Sequence, residues 1–240
     1  MRRFIAFTLA ETLIVMGIIG VVAALTLPNL NSSTGDKEKV AKVKKVYSNM
    51  NDAMGRAIAV YGPYNTWFTN DTTPAARATR WGNRVGEFLK ISKSCGLNTA
   101  GCIASTYKAH KTHQGNPGPG SGSLVGANYY TAVLADGTAI SFSNNQIYFD
   151  IDGMNKGSSI AGKDIFALNV DSTTGEVTPN GAADSSSSLL TCDCLDNGFA
   201  ACTAWVVMHD NMDYLKTNNS GQCTNNTSIN LDGTTNTSCK

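Results

Sequence analysis

A single apolar run near the start of the chain constrains both the fold and the location of the whole protein. Phe7 to Leu27 is 21 residues long and contains one charged side chain, Glu11. Because an α-helix rises about 1.5 Å per residue, this run would extend over roughly 30 Å, which is close to the hydrocarbon thickness of a bilayer. The sequence therefore predicts a membrane-spanning helix.

Two basic residues indicate how that helix would be oriented. Arg2 and Arg3 lie in a short leader, residues 1–6, directly before the apolar run. The positive-inside rule places this leader in the cytoplasm and everything after Leu27 on the other side of the membrane. The sequence thus predicts a single-pass membrane protein whose residues after Leu27 lie outside the cytoplasm.

A conventional secretory signal is the alternative interpretation of the same run. Its apolar core would be Leu13 to Val22, with cleavage after Ala24. Glu11 argues against it, because a carboxylate at the depth of the helix centre costs a few kcal/mol. An acidic side chain in that position is expected to have a function.

The residues around Glu11 form a recognisable pattern. It comprises the segment Ala6 to Ile14, the segment Gly17 to Ala24 and the downstream Pro28. The pattern resembles the processing signal of type IV pilins and type II secretion pseudopilins. In that family a prepilin peptidase cuts before a Phe and methylates the new amine, which implies cleavage between Ala6 and Phe7 and N-methylation of Phe7. The family usually has Gly before the cut, where this chain has Ala6.

The resemblance also implies an assembly role for Glu11. In a filament its carboxylate would pair with the N-terminal amine of Phe7 in a neighbouring subunit, and two desolvated charges would set the axial register of an apolar interface. The alternative is an incidental carboxylate that reaches toward the membrane surface. The implied partners are prepilin peptidase, the inner membrane, and copies of this chain or of related pilins in a periplasmic or cell-surface filament.

The helical pattern continues beyond the apolar run. Pro28 cannot donate a backbone hydrogen bond and predicts a kink between a transmembrane or filament-core helix over 7–28 and an amphipathic helix over 29–61. In the second helix, apolar residues recur in steps of three and four, at Val40, Val43, Tyr47, Met50, Met54, Ala57 and Tyr61. The lysines fall largely off this stripe and predict a solvated face: Lys37, Lys39, Lys42, Lys44 and Lys45.

Residues 62–240 are predicted to form a globular head. After Gly62-Pro63, a second helix is expected from Pro74 to about Lys90. Strand patterns at Tyr129–Ala135, Thr138–Ser143 and Gln146–Ile151 then predict a three-stranded antiparallel meander, in which Asp136-Gly137 is a hairpin turn. A further strand is predicted at Ile165–Val170. The predicted class is α+β. The resemblance implies a long helix packed on a small antiparallel sheet, with disulfide-rich C-terminal loops.

All seven cysteines lie in this head, at Cys95, Cys102, Cys192, Cys194, Cys202, Cys223 and Cys239. An exported chain favours disulfides, and Cys95 with Cys102 would close a short loop. The pairing of the other five stays open, and their odd number leaves one thiol unpaired or paired between chains. Zinc is the alternative, although the paired two-residue spacers of structural zinc sites are missing.

A loop after the third strand of the meander carries oxygen ligands at alternate positions. Asp150, Asp152 and Asn155 flank Gly153, and Asp164 closes the loop. Such a set suits a hard cation, so calcium is a candidate cofactor, and the resemblance to calcium-binding major pseudopilins supports it. The alternative is an Asp-Gly turn held by its own hydrogen bonds.

Charge and motifs exclude several classes of function. The formal net charge of +1 gives no electrostatic reason to expect a nucleic-acid partner. No nucleophile elbow, phosphate-binding loop or dinucleotide fingerprint occurs, so catalysis is not expected. The predicted function is a structural subunit of a type IV pilus, a DNA-uptake pilus or a type II secretion pseudopilus. The alternative is a membrane-tethered or secreted disulfide-rich module that binds sugars, surfaces or DNA without polymerising.

Overall fold

The described part of the chain contains a long N-terminal helix, two shorter α-helices and one antiparallel sheet. The computed structural model describes residues 9–71, 73–108, 123–143, 145–154, 159–181, 202–212 and 215, with no side chains for residues 23–34. The chain divides into two units, Met1–Glu38 and Lys39–Lys240. The described part of the first unit is helical, and the second unit has an α+β fold, as predicted.

Helix α1 extends over Leu9–Tyr61, a length of 53 residues. In the second unit its apolar side chains recur every three or four positions, which places them on one face. The buried members of this face are Val40, Val43, Val46, Met50, Ala53, Met54 and Ala57. The predicted apolar stripe is therefore confirmed from Val40 to Ala57, whereas Tyr47 is half-buried and Tyr61 is exposed.

The residues that come after Tyr61 explain why α1 ends there. The N–H of Gly62 donates to the carbonyl of Ile58 at 2.9 Å, and Pro63 cannot continue the helical hydrogen bonding. Aromatic side chains then cover the helix end, since Tyr64 and Trp67 are buried with ring centroids 5.0 Å apart.

Helix α2 extends over Pro74–Val85 and has a well-formed start. The Thr73 hydroxyl accepts the N–H of Ala76 at 3.2 Å, and Pro74 occupies the first turn, where its missing N–H costs little. A short 3-10 turn, Gly86–Phe88, follows the helix. The predicted helix from Pro74 is thus confirmed, and it ends at Val85 rather than near Lys90.

The sheet has six antiparallel strands in sequence order. They are β1 (Ile91–Leu97), β2 (Tyr130–Leu134), β3 (Ala139–Ser143), β4 (Gln146–Asp150), β5 (Ile165–Val170) and β6 (Val177–Pro179). The predicted three-stranded meander corresponds to β2, β3 and β4, and the further predicted strand corresponds to β5. Two strands were missed, one at each edge of the sheet, so the sheet is twice as wide as the predicted meander.

The two missed strands are irregular or short. The pairing of β1 with β2 shifts register twice, between Ile91 and Lys93 and between Ser94 and Gly96. Strand β6 has three residues, which is too short for an alternating pattern to stand out. Sequence periodicity is weakest in strands of these two kinds.

Aromatic stacking joins α2 to the sheet in the core. Trp81 of α2 is fully buried and stacks on Phe142 of β3, with ring centroids 4.2 Å apart and planes 6° from parallel. Helix α3 (Cys202–His209) is joined to strand β5 by a hydrogen bond. There the Thr203 hydroxyl accepts the N–H of Ala167 at 3.0 Å. Ala204 to Val206 are buried in the core.

Candidate functional site

The first unit carries a large exposed apolar surface. Leu9, Leu13, Ile14, Val15, Met16, Ile18, Ile19, Val21 and Val22 are each between 51% and 81% exposed. Consecutive positions cannot share one face of a helix, so the apolar surface surrounds this part of α1. A soluble helix normally exposes a polar face, and an exposed apolar surface of this extent is typical of sites that contact lipid or another protein.

Glu11 is the one charged residue in this part of α1. It lies at the surface of the helix, two residues after Leu9, and the next charged residue along the chain is Asp36. The structure therefore places a single carboxylate within the exposed apolar surface. Its proposed partner, the amine of Phe7, and the cleavage site between Ala6 and Phe7 lie outside the described residues.

Within the part of the chain whose side chains are described, no helix is long and apolar enough to span a membrane. Part of the predicted span, residues 7, 8 and 23–28, lies outside that part. Pro28 lies within the bounds of α1, and the kink expected there stays a prediction.

The second unit contains the acidic loop predicted to bind a cation. Asp150, at the end of β4, is buried, and its Oδ1 accepts the backbone N–H groups of Asp152 and Gly153, each at 3.1 Å. Its Oδ2 accepts the Ser159 hydroxyl at 3.2 Å. Asp150 therefore forms the predicted Asp-Gly turn, with both oxygens engaged by protein donors.

Backbone geometry explains the glycine in this turn. Gly153 has φ of +73°, which a residue with a side chain rarely adopts. A Cβ at Gly153 would also lie 2.5 Å from the carbonyl oxygen of Gly137, in the turn between β2 and β3. The absence of a side chain thus lets the acidic loop approach the neighbouring turn closely.

A lysine from α1 supplies the positive charge of the acidic loop. The Lys39 ammonium lies 2.6 Å from Oδ1 of Asp164 and 3.2 Å from Oδ2 of Asp152. The Asp164 side chain is only 3% exposed, and its Oδ2 accepts the N–H of Ile160 at 3.2 Å. Burial alone would lower the pKa of Lys39, but the hydrogen bond and charge of Asp164, with those of Asp152, raise the pKa above its usual value. The ammonium is thereby held in its charged form.

These contacts bear on the predicted calcium site. Asp152 and Asp164 are brought together, but around the Lys39 ammonium, and the oxygens of Asp150 face their own turn. Among the described residues, no group of three or more His, Cys, Asp or Glu side chains is arranged to hold a metal ion. The oxygens of the three aspartates are engaged by Lys39 and by hydrogen-bond donors of the loop, and Asn155 lies outside the described residues. Calcium binding stays a prediction.

The lysine face of α1 differs from the predicted solvated face. Four of its lysines contact aspartates of the head: Lys39 with Asp152 and Asp164, Lys42 with Asp152, Lys44 with Asp210, and Lys45 with Asp136. The prediction is wrong for Lys39, whose side chain is 20% exposed. No local signal identifies this lysine, because its partner Asp164 is 125 positions away along the chain.

The predicted disulfide between Cys95 and Cys102 is confirmed, with an S–S distance of 2.08 Å. It joins β1 to the loop that follows, where Cys102 is buried. Cys202 is also disulfide-bonded. Because Cys95 and Cys102 bond to each other, its partner belongs to the cysteines outside the described residues, which are Cys192, Cys194, Cys223 and Cys239.

The buried carboxyl group of Asp150 gives the acidic loop a pH dependence. Burial, opposed by the hydrogen bonds from Asp152 and Ser159, raises the pKa of Asp150 from 3.8 to about 6. The folded protein then binds more protons than the unfolded chain between these values, so stability falls as pH rises from about 4 to 6. A shift of this size corresponds to a change on the order of 3 kcal/mol.

We expect Asp150→Asn to remove this fall in stability, because an amide keeps an oxygen for the two backbone N–H groups without carrying charge. Urea unfolding at several pH values between 4 and 7, in buffer free of divalent ions, measures the effect. Asp171→Asn is the control. Hydrogen bonds from Thr174 and Thr173 lower the pKa of that exposed carboxyl group, so its replacement should leave the fall in stability with rising pH in place. A constant difference between Asp150→Asn and the unmodified protein at every pH would contradict the prediction.

Comparison with known proteins returns no relative. No family model matches the chain, and neither a curated protein nor a solved structure matches it. The function of the chain is therefore inferred from its own residues and geometry.

Proposed function

We propose that this chain is a filament subunit of the type IV pilin and type II secretion pseudopilin kind, held in the inner membrane by its N-terminal helix before assembly. One observation carries the proposal, which is the exposed apolar surface from Leu9 to Val22 with Glu11 as its single charge. Lipid would cover this surface before assembly, and the same surface of other subunits would cover it in a filament.

The architecture of the second unit supports the proposal. The apolar stripe of α1 from Val40 to Ala57 is buried in the core of an antiparallel α+β unit. One helix thus has an exposed apolar portion and a portion that belongs to a folded head. A subunit that polymerises through a helix while displaying its head requires this division of roles.

Glu11 gives the interface a means of alignment. Apolar helices can slide past one another with little change in buried area, whereas a carboxylate surrounded by apolar side chains has a strong preference for a positive partner. The amine of a processed Phe7 would be such a partner. Pairing between neighbouring subunits would then define one axial spacing.

The test of the proposal is the assembly of Glu11→Ala. We expect this variant to insert in the membrane normally and to form at least about tenfold fewer polymers, because the remaining amine would be buried without its counter-charge. A photo-crosslinking residue at Val15, which is 51% exposed, reports polymers as a ladder of crosslinked species. Glu176→Gln, which removes an exposed carboxylate from the head, is the control and should give the unmodified ladder.

Two results would contradict the proposal. The first is a normal ladder from Glu11→Ala, which would show that the carboxylate has no role in assembly. The second is a monomer from the unmodified sequence with the crosslinker at Val15, which would favour the membrane-tethered binding module.

The N-terminal residue of the mature protein tests the implied processing independently. We expect intact mass and N-terminal sequencing to find methylated Phe7 first, since prepilin peptidase cuts on the cytoplasmic side and leaves the apolar helix in place. A mature protein that begins at Leu25 would instead indicate a conventional secretory signal. That result would remove the assembly surface from the mature protein.

A further inference from the structure

A groove lies between α1 and the turn that joins β2 to β3. Its volume is about 400 Å³, which is within the range of small-molecule binding sites. One wall is polar and comes from α1, where Lys45, Asn49, Asp52 and Arg56 follow one another at steps of three and four and therefore share one helix face.

The opposite side of the groove has an apolar floor. Phe88 and Leu89, at the end of the 3-10 turn after α2, line it together with Leu134. Leu89 and Leu134 are buried, and Phe88 is half-buried, so part of the aromatic ring is accessible. The groove therefore combines an accessible aromatic group with polar groups from the facing helix.

The charges of the groove are only partly neutralised. Lys45 pairs with Asp136 at 2.9 Å, and Arg56 pairs with Asp52 at 3.1 Å. Lys90, which also lines the groove, has no carboxylate within 4 Å in the described parts of the chain. The three cations and two carboxylates that line the groove leave one positive charge in excess, and Lys90 is the cation without a carboxylate partner among the described residues.

Asn49 adds an uncommitted hydrogen-bonding group. Its amide has no protein partner among the described side chains and backbone groups, although it can donate two hydrogen bonds and accept two. An amide and a carboxylate in one groove match the donor and acceptor pattern of sugar hydroxyls, and the C–H face of a sugar ring packs on an aromatic ring. The excess positive charge then selects a sugar that carries a carboxylate.

We propose that this groove binds an acidic sugar of the hexuronate type. Lys90 pairs with the sugar carboxylate, Asn49 and Asp52 hydrogen-bond to its hydroxyls, and Phe88 contacts the apolar face of the ring. This site does not depend on the filament proposal, because every residue that lines it belongs to the second unit.

The experiment titrates the full-length chain with glucuronate, in a detergent without a sugar headgroup, and follows binding by calorimetry and by ¹⁵N NMR. We expect a Kd on the order of 1 mM, with chemical shift changes at Asn49, Phe88 and Lys90. Glucose is the matched neutral probe, and it should bind at least about tenfold more weakly because it lacks the charge-assisted hydrogen bond. Added salt should weaken glucuronate binding and leave glucose unaffected.

A pair of lysine variants distinguishes glucuronate binding at the groove from non-specific electrostatic attraction to the protein. Lys90→Met should weaken glucuronate binding about tenfold or more, and Lys37→Met, which removes an exposed lysine of the first unit, should not change it. Equal affinities for glucose and glucuronate would overturn the proposal. So would an unchanged affinity in Lys90→Met, or chemical shift changes confined to residues outside the groove.

Discussion

Replacing Lys39 with methionine is expected to lower the free energy of unfolding by about 3–5 kcal/mol, because it leaves a buried carboxylate without its counter-charge. Asp164, 3% exposed, would keep only the N–H of Ile160 as a described donor. Methionine retains the length and apolar stem of lysine, so the change removes little besides the ammonium. Since folded domains are stable by about 5–15 kcal/mol, this loss is a large share of the total.

The matched control for Lys39→Met is Lys45→Met. Lys45 also pairs with an aspartate, Asp136, but their side chains are 57% and 30% exposed, and ion pairs near the surface contribute about 0–1 kcal/mol. Urea unfolding at pH 7 measures both variants. Adding Asp164→Asn to Lys39→Met should recover part of the loss, because it removes the unpaired charge. Equal costs for the two lysine variants would show that burial does not strengthen the Lys39 pair.

Truncation of Trp81 is the second change with a large expected effect. Trp81→Ala should lower the free energy of unfolding by about 3–5 kcal/mol, since it removes a fully buried indole and leaves a cavity beside Phe142. A domain of this size loses about 2–4 °C in Tm for each kcal/mol, so thermal unfolding should occur roughly 10 °C lower.

Trp81→Phe separates packing from hydrogen bonding at the same position. The Trp81 Nε1–H is buried and has no hydrogen-bond partner among the described groups. Phenylalanine keeps an aromatic ring to stack on Phe142 and removes this unsatisfied donor, which partly offsets the lost volume. We expect a smaller loss in Tm from Trp81→Phe than from Trp81→Ala. A loss as large as that of Trp81→Ala would indicate that the indole N–H has a partner.

The parts of the fold that were predicted correctly have strong local signals. The stripe of α1 repeats over five turns from Val40 to Ala57, and Asp136-Gly137 lies between a segment rich in strand-forming residues and an alternating segment. The bond between Cys95 and Cys102 closes a loop of only seven positions. Each of these features is determined by residues close together in the chain.

The features that were missed depend on distant residues. Strand β1 is irregular and contains Gly96, so its alternation is broken, and it forms by pairing with β2, which begins 33 positions after β1 ends. Lys39 could not be distinguished from its neighbouring lysines, because only the folded head shows which of them meets Asp164. The groove beside Lys90 likewise combines α1, the turn after α2 and a hairpin, none of which contains a binding motif by itself.

Both outer strands of the sheet are poor templates for adding another strand. Strand β1 changes register twice and is covalently closed at Cys95, and β6 has three residues and ends at Pro179, which has no N–H to donate. Exposed flat edges are where proteins aggregate side by side, so this sheet is protected against intermolecular β-pairing. We therefore expect these two edges to disfavour the joining of sheets between copies of the head, even where many copies lie close together.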